Sequence, residues 1–404
     1  MARGETGDGV MNQVLQTISL PRARLRLAEV ATEPRRLLHV FPTFSLGGAQ
    51  VRFAALAEGL GSRFHHTVVA VNGGFEAESL LSPDAPVRIA GVAPSAGQGA
   101  LGRLRACRRL LDELEPDLLL TYNWGSMEFA MANFVGRTPH LHMEDGFGPE
   151  ETRRQLHRRV LTRRVVLSRS QVVVPSLTLQ AIATRRWKLD PRRVHYIPNG
   201  ISSKLHPSTR LADVAPDLPA GAPRIVWTGA LRPEKNPLRL LRAFAPLKDQ
   251  AVLLIVGSGP EEAAVRAEAA RLGLGDRVRL LGRRADARDI IMQCHVLALS
   301  SDTEQMPLVV LEGMDAGLPV ASCDVGDVRR VVAPENRPFV TPLDDAALAR
   351  ALGRLISDAA LRSAIGQANR RRLRAVYALP PMIEAYGALI DRLAATGRAR
   401  RSHA

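Results

Sequence analysis

The sequence predicts an α/β protein with two doubly wound parallel-sheet domains in tandem. Short apolar runs rich in Val, Ile and Leu alternate with helix-length amphipathic stretches, which is the pattern of βαβ units. The alternation occurs twice, because a proline-rich stretch at 199–223 interrupts it. A chain of 404 residues also exceeds the size at which one hydrophobic core stops growing.

The first series of apolar runs begins at residue 36, after a polar, arginine-bearing lead-in. The stretches between the runs have the length and apolar spacing of helices, at 49–60, 101–114, 152–167 and 177–186. The predicted strands are 37–41, 67–71, 87–90, 117–122, 140–143 and 172–175.

The second series consists of nearly continuous Val, Ile and Leu runs, as expected for strands covered by helices on both faces. A helical pattern follows at 344–395. The predicted strands are 224–228, 252–256, 278–281, 296–299 and 320–323. The predicted boundaries are a partly disordered extension at 1–34, domains at 35–203 and 204–379, a helix at 380–395 and a basic disordered tail at 396–404.

The charge balance indicates an anionic partner. The chain carries 55 Lys and Arg against 40 Asp and Glu, a formal net charge of +15. Nucleic acid, an acidic membrane surface and a phosphorylated substrate would each fit this excess. Nucleic acid is disfavoured, because the basic residues are not interleaved with stacking aromatics and no known nucleic-acid-binding module occurs.

Cysteine spacing and apolar segments bear on the compartment. Cys107, Cys294 and Cys323 lie far apart, without CxxC or Cys/His spacing, which argues against a disulfide framework or a zinc site. No run approaches the roughly 18 apolar residues of a membrane span. No apolar secretory signal is visible near the N-terminus. The sequence therefore predicts a cytoplasmic protein.

Two facing sheets of this kind form a ligand cleft at the carboxyl ends of their strands. Gly47 and Gly48 lie at such an end, between the first strand and helix 49–60. Glycine there lets a ligand approach backbone amides at a helix N-terminus. A plain turn is an equally good interpretation.

The turn at 229–236 follows the first strand of the second domain. Arg232 and Lys235 flank it, so both cations lie beside a helix N-terminus. This arrangement suits a diphosphate, whose negative charge rises as it departs. The alternative is a solvated surface pair.

Two glutamates, Glu304 and Glu312, follow the predicted strand 296–299 of the second domain. Glu304 lies in the loop after strand 296–299, and Glu312 falls on the following helix, about one turn beyond Pro307. A carboxylate near a helix start can accept hydrogen bonds from a ribose diol, and the amides around 306–309 can meet phosphate. Two surface acids are the alternative.

In combination these segments resemble the retaining glycosyltransferases of the GT-B architecture, family 4 (glycosyl transferases group 1). The resemblance covers about residues 36–395. The matching segments, in order, are Gly47-Gly48, 196–200 (Tyr-Ile-Pro-Asn-Gly), 229–236, 256–260 (Val-Gly-Ser-Gly-Pro), and Glu304 to Glu312 followed by 317–320 (Gly-Leu-Pro-Val).

The resemblance implies transfer of a sugar from a nucleoside-diphosphate sugar with retention of configuration. Arg232 and Lys235 match the cations that neutralise the departing diphosphate, and Glu304 matches the acid near the donor sugar's hydroxyls. The helix at 380–395 is expected to pack back on the first domain. The positions that match donor-binding residues are Gly48, Gly257, Met306, Pro307, Leu308 and the ribose-binding Glu312.

Two segments of the second domain depart from the family pattern. Ala230 stands where the family has an arginine, so Arg232 would have to substitute from two residues later. Residues 325–330 read Val-Gly-Asp-Val-Arg-Arg in place of an Asp-x-Gly-Gly-x-x-Glu-like turn. No DxD motif follows a buried strand, so the sequence predicts fixed cations, with no metal and no cofactor besides the nucleotide sugar.

The first domain departs from the family after strand 140–143. Asp145 stands where many relatives have a histidine, which places it nearest the sugar's C6 hydroxyl and the acceptor. We therefore predict Asp145 as a catalytic residue beside the cations and Glu304. His142 and Glu144 are assigned to the acceptor side, and a purely structural His142 is an open alternative.

The basic stretch Arg153–Arg169 contains seven arginines and no acid. Family relatives often dock on anionic membranes through basic helices of the first domain. At roughly 100° per residue these arginines spread around the helix instead of forming one stripe. Membrane docking and a generally solvated helix are both compatible with this pattern.

The sequence thus predicts a hexosyltransferase-type enzyme that moves a sugar to a glycan or lipid-linked acceptor in cell-envelope or exopolysaccharide synthesis. The enzyme would be cytoplasmic or peripheral on the inner face of the cytoplasmic membrane. A nucleotide-sugar epimerase of the same architecture and a basic nucleic-acid-binding protein are the alternatives. A Rossmann dehydrogenase is disfavoured, because no GxGxxG follows the first strand.

Overall fold

The structure is a computed structural model that describes residues 33–402, except 93–98, 137, 148, 152–154, 205 and 220. The extension predicted at 1–34 lies outside the described residues apart from Glu33 and Pro34. Residues from Arg35 onward form one unit, which contains two sheets.

The first sheet has seven strands within the described residues, and every pair of neighbours is parallel. The strands are β1 (Arg35–Phe41), β2 (Phe64–Ala70), β3 (Val87–Val92), β4 (Leu118–Tyr122), β5 (His140–Met143), β6 (Gln171–Val174) and β7 (Val194–Tyr196). Their order is β3-β2-β1-β4-β5-β6-β7. The direction of winding reverses between β1 and β4, where a ligand crevice opens in sheets of this type.

The second sheet has six strands in the described part of the chain, and it is also parallel throughout. The strands are β8 (Arg224–Thr228), β9 (Val252–Val256), β10 (Val278–Gly282), β11 (Val296–Leu299), β12 (Val320–Cys323) and β13 (Val340–Thr341). Their order is β10-β9-β8-β11-β12-β13, so this sheet reverses between β8 and β11.

Helices cover both sheets and connect the strands. The α-helices of the described residues are α1 (Gly48–Leu60), α2 (Ala100–Leu114), α3 (Met127–Ala132), α4 (His157–Val166), α5 (Leu177–Ala181), α6 (Leu211–Val214), α7 (Pro237–Phe244), α8 (Glu262–Arg271), α9 (Ala287–Met292), α10 (Leu308–Asp315), α11 (Val328–Val331), α12 (Asp345–Ser357), α13 (Ala359–Val376) and α14 (Leu379–Ser402). The last of them, α14, packs against α1, β1 and β4 of the first sheet.

The central strands are buried over their whole length, because helices lie on both faces of each sheet. Every residue of β4, β9, β11 and β12 is buried. This burial explains why the strands are continuous apolar runs and do not alternate. The predicted fold class, two Rossmann-like parallel-sheet domains, is confirmed.

Two strands were not predicted, because they are too short to show a period. β7 has three residues and includes His195 and Tyr196, and β13 has only two residues. The helix predicted at 152–167 begins at His157, and residues 152–154 lie outside the described part of the chain.

The C-terminal helix is longer than predicted. It continues to Ser402, so the expectation of a disordered tail from 396 is wrong as far as the structure describes the tail. A Cβ atom at Gly397 would lie 1.9 Å from the carbonyl oxygen of Asp117, so glycine allows the helix to approach the start of β4. Arg35 also donates to Asp391 of this helix at 2.6 Å. These contacts hold the last turns against the first sheet.

Candidate active site

The turns after β8 and β9 pack against each other, backbone to backbone. The Leu231 amide donates to the Ser258 carbonyl at 3.0 Å. A Cβ atom at Gly257, which has a φ of +148°, would lie 1.8 Å from the carbonyl oxygen of Gly229. Glycine is therefore required at 257 for the two turns to form one surface at the carboxyl edge of the sheet. A direct contact of Gly257 with the donor stays a prediction.

Two predicted catalytic residues meet at this edge. The Lys235 ammonium donates to Glu304 Oε1 at 2.6 Å, although the residues lie 69 positions apart. Ser301 Oγ donates to the same carboxylate oxygen at 2.8 Å. The Lys235 side chain is 29% exposed and that of Glu304 is 10% exposed. The pair is thus oriented by the fold and still partly open to an incoming molecule.

Arg232 differs from Lys235 in how the protein holds it. It lies on the same turn, since the Lys235 amide donates to the Arg232 carbonyl at 3.0 Å. Its side chain is exposed, and its guanidinium forms no hydrogen bond or ion pair with any described residue. The fold therefore fixes the head group of Lys235 but not that of Arg232.

The loop carrying Glu304 is anchored by an arginine that sequence reasoning missed. Arg239 on α7 donates to Asp302 at 2.5 Å and to the Ser300 carbonyl at 2.9 Å. Asn236, which caps α7 through its side chain, also donates to Asp302 at 3.1 Å. The loop after β11 is in this way tied to the helix that follows the cationic turn.

Glu312 lies in the second turn of α10 and is half-buried. Burial raises the pKa of its carboxyl, and the nearby Arg288 opposes that rise. Pro307 precedes the helix with an extended backbone, so α10 begins at Leu308.

The segment from Gln305 to Leu308 contacts loops of the first domain and the first residue of α1. Asn199 donates through its side chain to the Met306 carbonyl at 2.9 Å, and its backbone amide lies 3.2 Å from Met306 Sδ. Added Cβ atoms would lie 3.6 Å from Leu308 at Gly48 and 3.5 Å from Gln305 at Gly146. The predicted residues Gly48, Met306 and Leu308 are therefore brought together between the two sheets.

Asp145 lies at the carboxyl end of β5 and is paired with a buried arginine. Arg52 of α1 donates to its two carboxylate oxygens at 2.5 and 2.8 Å. The Asp145 amide donates to the Asn123 side chain at 2.7 Å. The Asp145 side chain is 20% exposed, so it is accessible from the cleft side. Sequence reasoning missed Arg52, although an arginine on the apolar stripe of α1, four residues before Leu56, was a usable signal.

The assignment of His142 and Glu144 to the acceptor side is wrong. Both side chains are fully buried, at 0% exposure. His142 hydrogen-bonds Thr121 Oγ1 at 2.8 Å, and Glu144 accepts from Arg163 Nε at 3.0 Å. Burial alone would raise the pKa of Glu144, but Arg163 and His142 lower it below its ordinary value. The structural alternative for His142 holds, because β5 turns these side chains into the first domain.

Two family descriptions match the chain, one on each sheet. The description "Glycosyltransferase Family 4" matches residues 46–205, and "Glycosyl transferases group 1" matches residues 222–358. The chain belongs to the family 4, group 1 glycosyltransferases. This confirms the predicted family and the prediction of a transferase, and it removes the epimerase alternative.

Curated relatives of the glycosyltransferase resemble it at low identity. The D-inositol 3-phosphate glycosyltransferase of Salinispora tropica is 27% identical over 274 residues, covering 62% of this chain and 56% of the relative. The lipopolysaccharide core biosynthesis glycosyltransferase LpsD of Rhizobium meliloti is 29% identical, covering 51% and 59%. The 2-deoxystreptamine N-acetyl-D-glucosaminyltransferase of Streptomyces fradiae is 27% identical, covering 85% and 88%. The chain thus spans a little over half of the first two relatives and most of the third.

Solved structures share the fold of the glycosyltransferase. HepE from Anabaena, in complex with UDP and glucose, has a TM-score of 0.76 at 21% identity, covering 89% of this chain and all of that one. A glycosyltransferase from Rickettsia africae has a TM-score of 0.72 at 16% identity, covering 90% and 99%. These likenesses establish the GT-B fold.

The basic stretch of the glycosyltransferase divides into buried and exposed arginines. Arg163 is fully buried, between Glu144 and Glu151 and close to three aromatic rings. Arg159 pairs with Glu151 at 3.2 Å. Both are therefore unavailable to a membrane, contrary to the expectation for the whole stretch, while Arg153 and Arg154 lie outside the described residues. Within its described residues, the exposed side chains are His157, Arg158, Leu161, Arg164, Val165, Ser168 and Arg169.

A cavity of about 560 Å³ opens in the first domain at the carboxyl ends of β2 and β4. Trp124 and Met127 supply apolar surface, and Asn72 supplies an amide. Arg103 and Glu128 also line it and pair at 2.8 Å. Trp124 directly follows Asn123, whose side chain accepts from the Asp145 amide, so one lining residue of the cavity is a chain neighbour of the residue that holds Asp145.

The divergent segment 325–330 joins the domains of the glycosyltransferase. Asp327, which is 2% exposed, accepts from the Leu177 amide at 2.7 Å and from Thr178 Oγ1 at 2.6 Å. Ser176 Oγ donates to Gln305 at 2.9 Å beside it. Asp327 thus caps the N-terminus of α5 from the opposite domain.

Three further features of the described residues concern membrane spans, metal sites and disulfides. Over these ranges, no helix combines the length and apolar composition needed to cross a membrane. No group of three or more His, Cys, Asp or Glu side chains in the same part of the chain could hold a metal ion. The three cysteines are buried free thiols, and burial raises the pKa of Cys294 to about 12.

Proposed function

We propose that this glycosyltransferase moves a sugar from a nucleoside-diphosphate sugar, with retention and without a metal ion. The acceptor is a hydroxyl of a glycan or lipid-linked intermediate in cell-envelope or exopolysaccharide synthesis. The observation that carries the proposal is the 2.6 Å pair of Lys235 and Glu304 at the carboxyl edge of the second sheet. Glu304 lies on the loop that also meets the first domain at Met306.

The pair supplies the two functions that the reaction needs. When the bond between sugar C1 and the β-phosphate oxygen breaks, negative charge builds on the diphosphate. In the proposal the Lys235 ammonium turns from Glu304 to that oxygen, and the freed carboxylate accepts hydrogen bonds from the sugar's hydroxyls. Exposure of Lys235 at 29% leaves room for this exchange. A held cation takes the place of a metal ion in this account.

The nucleoside is proposed to bind along α10. At the start of this helix the Leu308 and Val309 amides have no carbonyl partner among the described residues, so they suit phosphate. Glu312 is one turn further on, where its half-buried carboxylate would accept from the ribose diol. Since burial raises the pKa of Glu312, hydrogen bonds from a diol would stabilise its charged form.

We place the acceptor in the cavity beside Asp145. Its wall combines the Trp124 ring with the Asn72 amide and the paired charges of Arg103 and Glu128. An aromatic face with hydrogen-bonding groups suits a sugar or cyclitol ring. Because Glu128 neutralises Arg103, the wall favours an uncharged hydroxyl-rich ring over a phosphorylated one.

The exposed face of α4 is proposed to dock on an anionic membrane. Arg158 and Arg164 flank Leu161 and Val165, and these four residues recur at three- and four-residue spacing on one side of the helix. Leu161 is 61% exposed and Val165 is 49% exposed. Cations around exposed apolar side chains are typical of interfacial helices. Docking there would bring a lipid-linked acceptor to the first domain.

The double variant Arg158→Glu/Arg164→Glu is expected to bind vesicles rich in phosphatidylglycerol at least about 30-fold more weakly, since each surface cation contributes about 1 kcal/mol. Vesicle sedimentation measures this. The control is Arg192→Glu, because Arg192 is 89% exposed elsewhere on the first domain. Equal binding of the double variant and the control would overturn the docking proposal. Arg159 and Arg163 are left intact because they are partly or wholly internal.

The donor proposal is tested with UDP-glucose, UDP-N-acetylglucosamine, GDP-mannose and ADP-glucose in a thermal-shift screen. One base is expected to raise Tm, because a ligand at about 100 times its Kd stabilises the fold by about 2.7 kcal/mol. The matching donor is then incubated with methyl glucosides and an uncharged cyclitol, with and without EDTA. NMR of the product should show the donor's anomeric configuration in both samples. An inverted product, or loss of activity in EDTA, would contradict the retaining or metal-free part respectively.

A further inference from the structure

A charged side chain occupies the packed side of α1. The Arg52 side chain is only 3% exposed and lies on the stripe formed by Phe53 and Leu56. Its guanidinium stands 5.8 Å from the ring of Tyr386, a fully buried residue of α14. An apolar residue would satisfy the packing of this helix, so the arginine needs another explanation.

Stability alone does not supply that explanation. A buried ion pair rarely stabilises a fold more than apolar side chains of the same size, because both charges lose their hydration. Arg52 Nε is also buried without a hydrogen-bond partner among the described residues, which adds to the cost. The residue is therefore kept in place against an energetic penalty.

The Arg52 guanidinium donates to the Asp145 carboxylate in a bidentate arrangement. Nη1 donates to one carboxylate oxygen at 2.5 Å and Nη2 donates to the other at 2.8 Å. Two parallel bonds fix the plane of a carboxylate, whereas a single bond would leave it free to rotate. Asp145 keeps 20% of its side chain exposed, so its orientation matters to whatever enters the cleft.

The same guanidinium is linked to the second domain. Arg52 Nη1 also donates to Asn199 Oδ1 at 3.1 Å. Asn199 in turn donates to the Met306 carbonyl at 2.9 Å. Met306 lies two residues after Glu304, so three hydrogen-bonded side chains and one loop join the carboxylate of the first domain to that of the second.

We propose that Arg52 is a positioning residue that sets the orientation of the Asp145 carboxylate and couples it to the Met306 loop. This role rests on the proposed function, since it concerns how a carboxylate is presented to the reacting sugar. Because the Arg52 side chain is buried, it would act on a substrate through Asp145. The Asn199–Met306 contact and the orientation of Asp145 are coupled, because both depend on the Arg52 guanidinium.

The test is a double-mutant cycle on the full chain with the donor found by the screen. Arg52→Met is expected to lower kcat on the order of tenfold or more with a smaller change in donor KM, because a misplaced group costs turnover. Arg52→Lys keeps the charge but not the bidentate geometry, so its kcat should lie between those of Arg52→Met and the unaltered protein. Arg52→Met/Asp145→Asn should turn over no more slowly than Asp145→Asn alone, because Arg52 acts through Asp145.

Melting temperatures of all variants separate positioning from folding. The double variant leaves no unpaired charge, so it should melt near the unaltered protein while its kcat stays low. Arg63→Met is the matched control, since Arg63 follows α1 and makes an exposed pair with Asp391. Losses of kcat that add in the double variant, or normal kcat in folded Arg52→Met and Arg52→Lys, would overturn the inference and leave the proposed function standing. An unaltered protein that neither binds nor turns over nucleotide sugars would instead overturn both.

Discussion

Lys235→Ala is expected to lower kcat by at least about 100-fold, equivalent to about 3 kcal/mol of transition-state stabilisation. The reason is that the fold fixes this ammonium, 2.6 Å from Glu304, at the carboxyl edge of the second sheet. Its interaction with the diphosphate strengthens as the glycosidic bond breaks, so its loss should appear in kcat more than in donor KM. Initial rates of nucleotide release with donor and acceptor measure this.

Two variants control the experiment. Lys248→Ala removes a lysine beyond the other end of α7, where the ammonium donates to the Gly273 carbonyl, and it should keep normal kcat. Arg232→Ala should lose less activity than Lys235→Ala, because the protein does not hold the exposed Arg232 head group. A folded Lys235→Ala enzyme with kcat within a few-fold of normal would remove Lys235 from the mechanism.

The position of this lysine could be predicted because it depends on local pattern. A buried strand, a turn with glycine and a following helix are all visible within 224–244, and the carboxyl end of a parallel strand places such a turn in the cleft. Glu304 follows β11 in the same manner. The pairing of the two residues follows from strand order, since β8 and β11 are neighbours in the sheet.

The burial of individual charged side chains could not be predicted from local pattern. Arg52 and Arg163 are buried because their carboxylate partners lie on other elements, 93 and 19 residues away. Neither spacing has a period that a single sequence reveals. The sequence pattern therefore indicates a run of uniformly exposed arginines, although Arg163 of α4 points inward. The burial of His142 and Glu144 was not predictable either, because a short strand does not show which face of the sheet its end residues take.

Arg163→Met is expected to destabilise the first domain by about 3–5 kcal/mol, the usual cost of breaking a buried ion pair by removing one partner. Arg163 Nε donates to Glu144 at 3.0 Å, and its terminal nitrogens donate to Glu151 at 3.2 Å. The guanidinium also lies 4.9 Å from the Trp187 ring. Without it the fully buried Glu144 carboxylate keeps, among the described side chains, only His142 at 3.5 Å. Denaturant unfolding followed by tryptophan fluorescence measures the loss.

The pH dependence of that loss distinguishes charge from packing. In the unaltered protein the folded-state pKa of Glu144 lies below the ordinary glutamate value of 4.5, so its contribution is full above that value and declines as pH falls through the folded pKa. The difference from Arg163→Met should therefore be largest near neutral pH and shrink in acid. Adding Glu144→Gln to Arg163→Met should restore much of the stability at neutral pH, whereas Arg164→Met, at the exposed neighbouring position, should change little. A deficit that is constant with pH and unaffected by Glu144→Gln would mean that Arg163 stabilises the domain only by packing against its aromatic neighbours.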